Sequence, residues 1–518
     1  MTPTLYPAQP VSARTHARPA IMLSLLALSL AACTTTSPLR TANPAPSVSV
    51  IAQDYPASPN NEQPSIAALG WQEFFADPAL KSLIQLGLDN NRDFRTAALN
   101  IQRAQAQYQI RAADQLPTIN SSGSITQRGN TDSSDTSYSV GLGATAYEVD
   151  LWGRVANLKD AALQNYLATQ SAQQAVQISL IGQITQAYLS LGFNQEQLRL
   201  AEQTLKTQLD SLNLNRKRLD VGISSAVPVR QSEISVESAR LAIANFTTLI
   251  EQDKNLLTLL VGQPVPQALL PRRAPQKITS PQVFSTGLPS DLLQNRPDLI
   301  QAEYSLRAAG ANIAVARAAF YPSISLTGNL GLSSTSLSDL FSSGAFSYSF
   351  GPSISLSIFD GGARRANLEV SEVDQQLALT AYEKAIQSAF REVADVLAER
   401  ATLTQRLESQ ARLVAATRAN YNLSQARFRA GLDSYLNVLD AQRSLFSAEQ
   451  SQINLQQANL MTQVNLYKAL GGGGLSQTSS PADVSTANQT HVSADQTSQT
   501  RLVTTPAVGG VTAEAVVD

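Results

Sequence analysis

Histidine and cysteine are almost absent from this chain of 518 residues, which has two histidines and one cysteine. The histidines are His16 and His491, near the two ends, and the cysteine is Cys33. This distribution excludes histidine-based catalytic triads and the usual zinc ligand sets from the long central part of the chain. A single cysteine also cannot form an intramolecular disulfide. We therefore predict no enzyme, no metal site and no cofactor.

Charge is scarce as well, because Asp, Glu, Lys and Arg together make up only 15% of the residues and the formal net charge is −2. A nucleic-acid-binding protein is expected to have a basic surplus, so we predict no nucleic-acid partner. The glycine pair Gly361-Gly362 and the run at 471–474 lack the spacing and the Lys-Ser/Thr ending of a phosphate loop. Any energy for transport would therefore have to come from a partner protein.

The N-terminus has the features of a bacterial lipoprotein signal. Arg14 and Arg18 precede an apolar run over residues 21–30, which is too short to span a bilayer. The run ends in Leu30-Ala31-Ala32-Cys33, the form of a lipobox. We predict that residues 1–32 are removed as a signal peptide and that Cys33 carries the lipid anchor. The alternative is an ordinary signal peptide followed by an accidental cysteine.

The chain repeats itself after about 209 residues, a spacing far longer than that of solenoid repeats. The segment 218–222 returns as 427–431, and 150–154 returns as 359–364. The predicted organisation is a signal peptide (1–32), a lipid-anchored N-terminal extension (33–78), a first repeat (79–262), a linker (263–289), a second repeat (290–474) and a flexible C-terminal tail (475–518).

Each repeat contains a long proline-free segment, between Gly153 and Gly222 and between Gly361 and Gly431. Each segment predicts one helix of roughly 65 residues, about 100 Å long. Shorter helices over about 79–115 and 226–261 are expected beside the first, and over about 290–320 and 434–470 beside the second. The first long segment has apolar residues seven positions apart, a coiled-coil pattern: Ile184, Leu191, Leu198, Leu205, Leu212 and Leu219. Arg400 interrupts the same register in the second.

Four segments alternate between apolar and small polar residues, which is typical of membrane barrel strands. They are residues 119–126, 138–147, 323–332 and 346–358. Four strands cannot close a barrel, and lipid does not tolerate open sheet edges. The protomer must therefore oligomerise: three copies would supply twelve strands and two copies eight. Two soluble hairpins are the alternative for the strands, and solvent-exposed structural coiled coils are the alternative for the helices.

Several motifs are those of TolC-like outer-membrane factors, and the chain resembles the OprM/NodT branch of efflux lipoproteins over about 71–474. The motifs are Tyr147-Glu148-Val149-Asp150-Leu151-Trp152-Gly153-Arg154, Arg296-Pro297-Asp298-Leu299, Phe359-Asp360-Gly361-Gly362 and the segment from Tyr435 to Phe446. The resemblance implies an α+β homotrimer, with a 12-stranded outer-membrane β-barrel, four strands per protomer, continued by a long α-helical coiled-coil barrel. It also implies two partners, a periplasmic adaptor (membrane fusion protein) and an inner-membrane transporter of the RND type.

The resemblance assigns roles to two groups of residues. It places two helix–helix turns at the periplasmic tips, where the adaptor binds: Val221, Gly222 and Ile223 in the first repeat, and Ala430, Gly431 and Leu432 in the second. These turns could instead be simple helix caps. It also places Leu436, Asp440 and Arg443 at a periplasmic gate. A ring of Asp440 would attract cations or pair with Arg443 of neighbouring helices, whereas a local Asp440–Arg443 pair on one helix is the alternative.

The sequence and the resemblance together predict a passive exit duct for drugs and other small amphipathic compounds. We expect it in the outer membrane, lipid-anchored among the membrane lipids, with a large periplasmic part. Thr34 follows Cys33, in place of the aspartate that retains many lipoproteins in the inner membrane. The alternatives are a duct for type I protein secretion or metal export and, from another class, a non-channel periplasmic scaffold lipoprotein.

Overall fold

The computed structural model describes residues 69–279 and 295–472, so Cys33, most of the predicted N-terminal extension and the tail lie outside the described residues. The two ranges form long helices and one small antiparallel sheet. In chain order the elements are α1 (Trp71–Phe74), α2 (Pro78–Asn90), α3 (Arg92–Ala113), β1 (Ile119–Gly129), β2 (Ser134–Glu148), α4 (Arg154–Asp220), α5 (Ala226–Val261), α6 (Pro297–Ala318), β3 (Ser323–Ser334), β4 (Phe346–Ser355), α7 (Ala363–Arg429) and α8 (Tyr435–Ala469).

The two predicted long helices are confirmed, because α4 and α7 each contain 67 residues in a single uninterrupted helix. Each begins directly after a glycine in the left-handed conformation, with φ 75° at Gly153 and φ 93° at Gly362. Glycine adopts this conformation without the steric penalty of a side chain. At 1.5 Å per residue each helix is about 100 Å long.

The shorter helices agree with the prediction in part. The helix predicted over 226–261 has those bounds in the structure, and α8 differs from its prediction by one residue at each end. The single helix predicted over 79–115 is wrong, because Asn91 separates α2 from α3. Its backbone is extended (φ −62°, ψ 132°), and its side chain accepts a hydrogen bond from the Phe94 N–H as the N-cap of α3. Pro297 is the first residue of α6, where its missing N–H is not needed.

The helices pack lengthwise: α4 lies against α3, α5, α6 and α8, and α7 lies against α6 and α8. The heptad stripe of α4 is buried at Ile184, Leu191 and Leu212 and becomes exposed at Leu219, its last position. Arg400, the exception in the second register, is exposed. None of the helices in residues 69–279 and 295–472 is both long and apolar enough to cross a membrane.

The largest core lies near the middle of the long helices, where both repeats meet. Phe74 stacks on Tyr467 with ring centroids 4.4 Å apart, and Phe75 packs edge-on against the same ring at 5.8 Å. The Ala76 N–H donates to the Ile278 carbonyl at 2.8 Å, which holds the segment after α5 against the core. This core joins the segment just before the first repeat to the end of the second.

The four strands form one antiparallel sheet in the order β1-β2-β3-β4. The first hairpin is tighter than predicted, since β2 begins at Ser134 rather than near Tyr138. Asn130 makes this possible, because its side-chain oxygen accepts hydrogen bonds from the N–H groups of Asp132 and Ser133 in the turn. At the other end β4 stops at Ser355, three residues before the predicted limit.

Candidate channel gate and partner-binding hairpins

The sheet has one apolar face and one hydroxyl-rich face. On the apolar face cross-strand neighbours follow one another as Leu142, Leu330 and Tyr348. On the other face serine side chains meet in pairs: Ser124 and Ser139 at 2.8 Å, and Ser325 and Ser353 at 2.7 Å between hydroxyl oxygens. A sheet with these two faces suits a wall that has lipid on one side and water on the other.

Neither outer edge of the sheet is paired within the described residues, because β1 bonds only to β2 and β4 only to β3. The apolar side chains of the edge strands are exposed, with Ile125 72% and Ile354 71% accessible. Unpaired N–H and C=O groups at a sheet edge bind another strand readily. The protomer therefore presents two complementary edges that further copies can close.

The sheet is joined to the long helices by aromatic contacts. Trp152 stacks on Tyr321 with ring centroids 4.8 Å apart, and its indole N–H donates to the Pro322 carbonyl at 2.8 Å. Ile358 and Phe359, just before α7, are 93% and 89% exposed. Aromatic and apolar side chains of this kind favour a membrane–water interface. The junction between the sheet and the helices therefore has side chains suited to the surface of a membrane.

The predicted tip residues lie in two matching turns at the far ends of the long helices. In the first, Gly222 has φ 73° and the Ile223 N–H donates to the Arg218 carbonyl at 3.0 Å. In the second, Gly431 has φ 75° and the Leu432 N–H donates to the Arg427 carbonyl at 3.0 Å. In both turns this hydrogen bond reaches the carbonyl five positions earlier, which is the Schellman pattern that ends a helix. The six predicted tip residues therefore lie in turns that end helices. The alternative interpretation as simple helix caps requires the same turns.

Both turns expose apolar side chains, which simple caps do not need. Val221, Ile223 and Leu432 are 69%, 66% and 68% accessible. Gly222 and Gly431 have no atom within 4 Å of a Cβ built on them. The tips thus combine exposed apolar groups with open space above each glycine, as a docking site for a partner helix would.

The two tips differ in how their corresponding arginines are held. Arg427 spans its own turn through two bonds to Asp433, with Nε–Oδ2 2.5 Å and Nη2–Oδ1 3.1 Å. The equivalent first-repeat arginine, Arg218, has Ser224 where the second repeat has Asp433. Its guanidinium lies over the Phe428 ring instead, 4.8 Å from the centroid. The missing acid in one tip thus allows a cation–π contact that joins the two hairpins.

Acidic partners tie each tip turn to its helices. The carboxylate of Glu233 on α5 bonds to Arg230 at 2.8 Å and to Arg216 of α4 at 3.1 Å. These two arginines hold the pKa of Glu233 below its usual value. Arg427 does the same to the pKa of Asp433. Both carboxyl groups therefore stay ionised and keep their ion pairs at neutral pH.

The three predicted gate residues share one face of α8. Leu436, Asp440 and Arg443 are spaced four and three residues apart, which aligns them along the helix. All three are exposed in the protomer, and Leu436 is 48% accessible. Another side of α8 is buried against Phe428 of α7 through Tyr435, Val438 and Leu439. Within the described ranges Asp440 and Arg443 form no ion pair with each other, so the local pair weighed above is absent.

The chain is similar in sequence to known proteins of the bacterial outer membrane. The sequence profile of the family described as "Outer membrane efflux protein" matches residues 83–263 and 288–472. The chain belongs to this family. It is 44% identical over 448 residues to the antibiotic efflux pump outer membrane protein ArpC of Pseudomonas putida, covering 84% of this chain and 92% of ArpC.

The chain is also similar to a cation efflux protein and to a solved outer membrane channel. The cation efflux system protein CusC of Escherichia coli is 41% identical over 413 residues, or 78% of this chain and 88% of CusC. The crystal structure of the open state of the Neisseria gonorrhoeae MtrE outer membrane channel matches with a TM-score of 0.78 and 36% identity, covering 84% of this chain and 98% of that one.

Membership confirms several predictions at once. The chain is an α+β outer membrane efflux channel component with a large periplasmic part, and it is not an enzyme. The alternative of a non-channel scaffold is thereby set aside. In the part of the chain that the structure describes, no group of acidic, histidine or cysteine side chains could hold a metal ion.

Sequence reasoning missed the contacts that join the two repeats. The Arg218–Phe428 contact crosses 210 positions of the chain, and the Trp152–Tyr321 stack crosses 169. The repeat carried a usable signal for the first, because aligning the two tips places Arg218 opposite Arg427 and leaves it without an acidic partner. No comparable signal marked the second.

Proposed function

We propose that three copies of this chain form a passive exit duct for drugs and other small amphipathic compounds. The observation that carries the proposal is the four-stranded sheet with two unpaired edges and two chemically distinct faces. Pairing β4 of one copy with β1 of the next satisfies both edges, and three copies give a closed wall of twelve strands. The six long helices of such a trimer would continue this wall as a tunnel through the periplasm.

The narrowest point of the duct is the ring of α8 segments near the second tip. Threefold symmetry brings three copies of Leu436 together as an apolar constriction, with Asp440 and Arg443 one and two turns further along the same face. Because neither charged residue has an ion-pair partner among the described residues of its own protomer, a pair with a neighbouring copy is available. Asp440 and Arg443 would thus hold the constriction closed between protomers.

The tip turns receive the periplasmic adaptor. Exposed Val221, Ile223 and Leu432 supply apolar contact area, and the open space above Gly222 and Gly431 admits the backbone of a partner helix. The adaptor couples the duct to an inner-membrane transporter of the RND type, which supplies the energy. Acylation of Cys33 anchors each protomer to the outer membrane from the periplasmic side.

The cargo is best tested by drug susceptibility. A strain lacking this protein is compared with strains restored by the wild-type gene, by Cys33→Ala and by Leu436→Ser, against antibiotics, dyes, solvents, and copper and silver salts. Hypersensitivity to several unrelated organic compounds, rescued by the wild-type gene, supports the proposal. The Cys33→Ala strain measures the contribution of the lipid anchor.

Metal export is a second candidate function, favoured by the similarity to a cation efflux protein and by the predicted ring of Asp440. Hypersensitivity confined to copper and silver would establish it in place of drug export. An unchanged profile for every compound would count against both and in favour of protein secretion. Conductance in planar bilayers tests the duct itself, because a Leu436→Ser trimer should give larger unitary currents than the wild-type trimer.

A further inference from the structure

Arg296 is a buried charged residue whose single side chain bonds to three helices. Its side chain is 8% exposed and lies just before α6. Nη1 donates to the Ala469 carbonyl at the end of α8 at 2.9 Å, and Nη2 reaches Glu392 in the middle of α7 at 2.9 Å. Nε and Nη2 also bond to Asp298 in the first turn of α6, at 3.0 and 2.7 Å. We call this set the Arg296 clamp.

The first repeat has the same helix junction without a charged group. Asn91 directly precedes α3, as Arg296 directly precedes α6, and the two residues occupy equivalent places in the two junctions. The Asn91 Nδ2 donates to the Leu260 carbonyl at 2.8 Å. Leu260 corresponds to Ala469, at the end of the equivalent helix. A neutral amide is therefore sufficient to satisfy this carbonyl and to close the junction.

The close backbone packing at the two junctions is also the same. A Cβ on Gly262 would lie 2.4 Å from the Asn90 carbonyl oxygen, and one on Gly471 would lie 2.6 Å from the Asn295 carbonyl oxygen. The backbone approach at the junction is thus alike in the two repeats, while the side chains that bond across it differ. Counting 209 positions back from Glu392 gives Gln183, whose side chain bonds to Ser179 of its own helix. Of the two described junctions, only the second forms an ion pair with its long helix, between Arg296 and Glu392.

A buried arginine needs a reason, because removing a charge from water is unfavourable unless it is paired. Burial disfavours the charged guanidinium, but the pairs with Asp298 and Glu392 outweigh it, and the pKa of Arg296 is raised. Where the first repeat has one hydrogen bond from the neutral Asn91 amide, the second repeat has a directional set of charge-assisted hydrogen bonds. What it adds is a fixed orientation of α6 and α8 relative to α7.

That orientation matters at the other end of the hairpin. Leu436 lies 33 residues before Ala469 along α8, which corresponds to about 50 Å of helix. A tilt of about 5° at the clamp would therefore move the constriction by about 4 Å, roughly the width of a leucine side chain. A small angular freedom at the junction would be enough to open or to close the proposed gate.

We infer that Arg296 is a positioning residue for the gate: it fixes the α6–α8 junction to the middle of α7 and so sets the closed position of the α7–α8 hairpin. The inference rests on the proposed constriction at Leu436. The first repeat, which carries no such ion pairs at its junction, has no equivalent restraint on the α4–α5 hairpin. The clamp therefore makes the two hairpins of the protomer mechanically unequal.

The test uses full-length trimers carrying Arg296→Asn, which copies the amide of the first repeat, or Glu392→Gln, which keeps the arginine. Arg317→Asn is the matched control. Arg317 also links α6 to α7, through Glu372 at 3.4 Å, but the pair is half-exposed and has no bond to α8. Two readouts are measured: the open fraction of single channels in planar bilayers, and the distances between spin labels on Leu432→Cys in the three copies.

We expect Arg296→Asn and Glu392→Gln to raise the open fraction about tenfold, equivalent to about 1.4 kcal/mol, and to broaden and lengthen the label distances. The double variant should add little to either single one, because both remove the same pair. Arg296→Lys, which keeps the positive charge, should raise the open fraction less than Arg296→Asn does. Arg317→Asn should match the wild type. If Arg296→Asn does not assemble, the partly exposed Glu392→Gln still decides the question.

Wild-type behaviour of Glu392→Gln in both readouts would overturn the inference, as would an equal effect of Arg317→Asn. The label distances do not depend on conduction, which separates this inference from the proposed function. Wild-type trimers that give no unitary currents, but whose label distances respond to Glu392→Gln, would refute the proposed duct and leave the positioning role intact. Conducting wild-type trimers with unresponsive distances would refute the positioning role alone.

Discussion

Two glycines with the same backbone conformation should respond very differently to alanine. Gly431, in the second tip, has φ 75°, and Gly471, after α8, has φ 92°. A Cβ at Gly431 meets no atom within 4 Å, whereas a Cβ at Gly471 would lie 2.6 Å from the Asn295 carbonyl oxygen. That contact is with backbone, so it cannot be relieved by a side-chain rotation. The pair thus separates the conformational penalty of alanine from its steric penalty.

The expected magnitudes follow from these surroundings. Placing alanine in the left-handed region destabilises the fold by about 1 kcal/mol, and this is the whole effect at Gly431. At Gly471 the overlap adds roughly 1–3 kcal/mol, as in other overpacked sites, for a total of about 3 kcal/mol. Gly222 and Gly262 repeat the comparison in the first repeat, with open space at the tip and a 2.4 Å approach to the Asn90 carbonyl at the junction.

The assay is urea unfolding of the detergent-solubilised protein, followed by helical circular dichroism at one fixed protein concentration. The shift in midpoint, multiplied by the common slope, gives the change in the free energy of unfolding. Equal losses for Gly431→Ala and Gly471→Ala would refute the reasoning, because the two sites share a backbone conformation and differ only in their neighbours. Gly431→Ala should also retain wild-type drug efflux, while Gly431→Trp, whose Cβ likewise meets no atom of the protomer, should lose it by blocking the adaptor.

Three further predictions concern single positions. Ala146 has φ 54° at the bulge in β2 and is exposed, so Ala146→Gly should raise the free energy of unfolding by about 0.5 kcal/mol in the same urea titration. Leu189 is fully buried in the central core; Leu189→Ala should lower it by about 3 kcal/mol, and a loss under 1 kcal/mol would contradict this packing. The lowered pKa of Asp433 means that its pair with Arg427 is complete above the ordinary carboxyl pKa of about 3.9 and is lost as the pH falls through the lowered value. The protection of amides at the second tip, measured relative to their intrinsic exchange rate at each pH, should therefore fall below about pH 4, and Asp433→Asn should remove this pH dependence.

Much of the helical framework was predictable from local chemistry. The absence of proline and the glycines at both ends define α4 and α7, because these residues decide where a helix can begin, continue and stop. The prediction failed where a single capping side chain intervened, at Asn91. The tighter β1–β2 turn was missed for a similar reason, since its geometry depends on the Asn130 side chain. Both failures concern hydrogen bonds from side chain to backbone, which the apolar periodicity does not report.

Only part of the candidate site could be predicted from the sequence. The alignment of Leu436, Asp440 and Arg443 on one face follows from their spacing, but their assignment to a gate came from the family resemblance and remains a proposal. The partners of Arg218 were not predictable from its neighbours in the chain. They depend on the hairpins of the two repeats lying side by side, which brings Phe428 under a guanidinium that has no acid of its own.

The linear order of residues therefore determined the periods, the lengths of the elements and the faces that are apolar or polar, because these follow from interactions within a few turns of helix or along one strand. The fold decided what those faces meet. Arg296 illustrates the division: it lies directly before α6, as Asn91 lies directly before α3, and its neighbours in the chain do not identify its partners in the second repeat. Its pairing with Glu392, 96 residues away, and with the last turn of α8 exists only because packing has brought three helices to one point. Buried charge is stable only where its partners converge, and that convergence is a property of the tertiary structure.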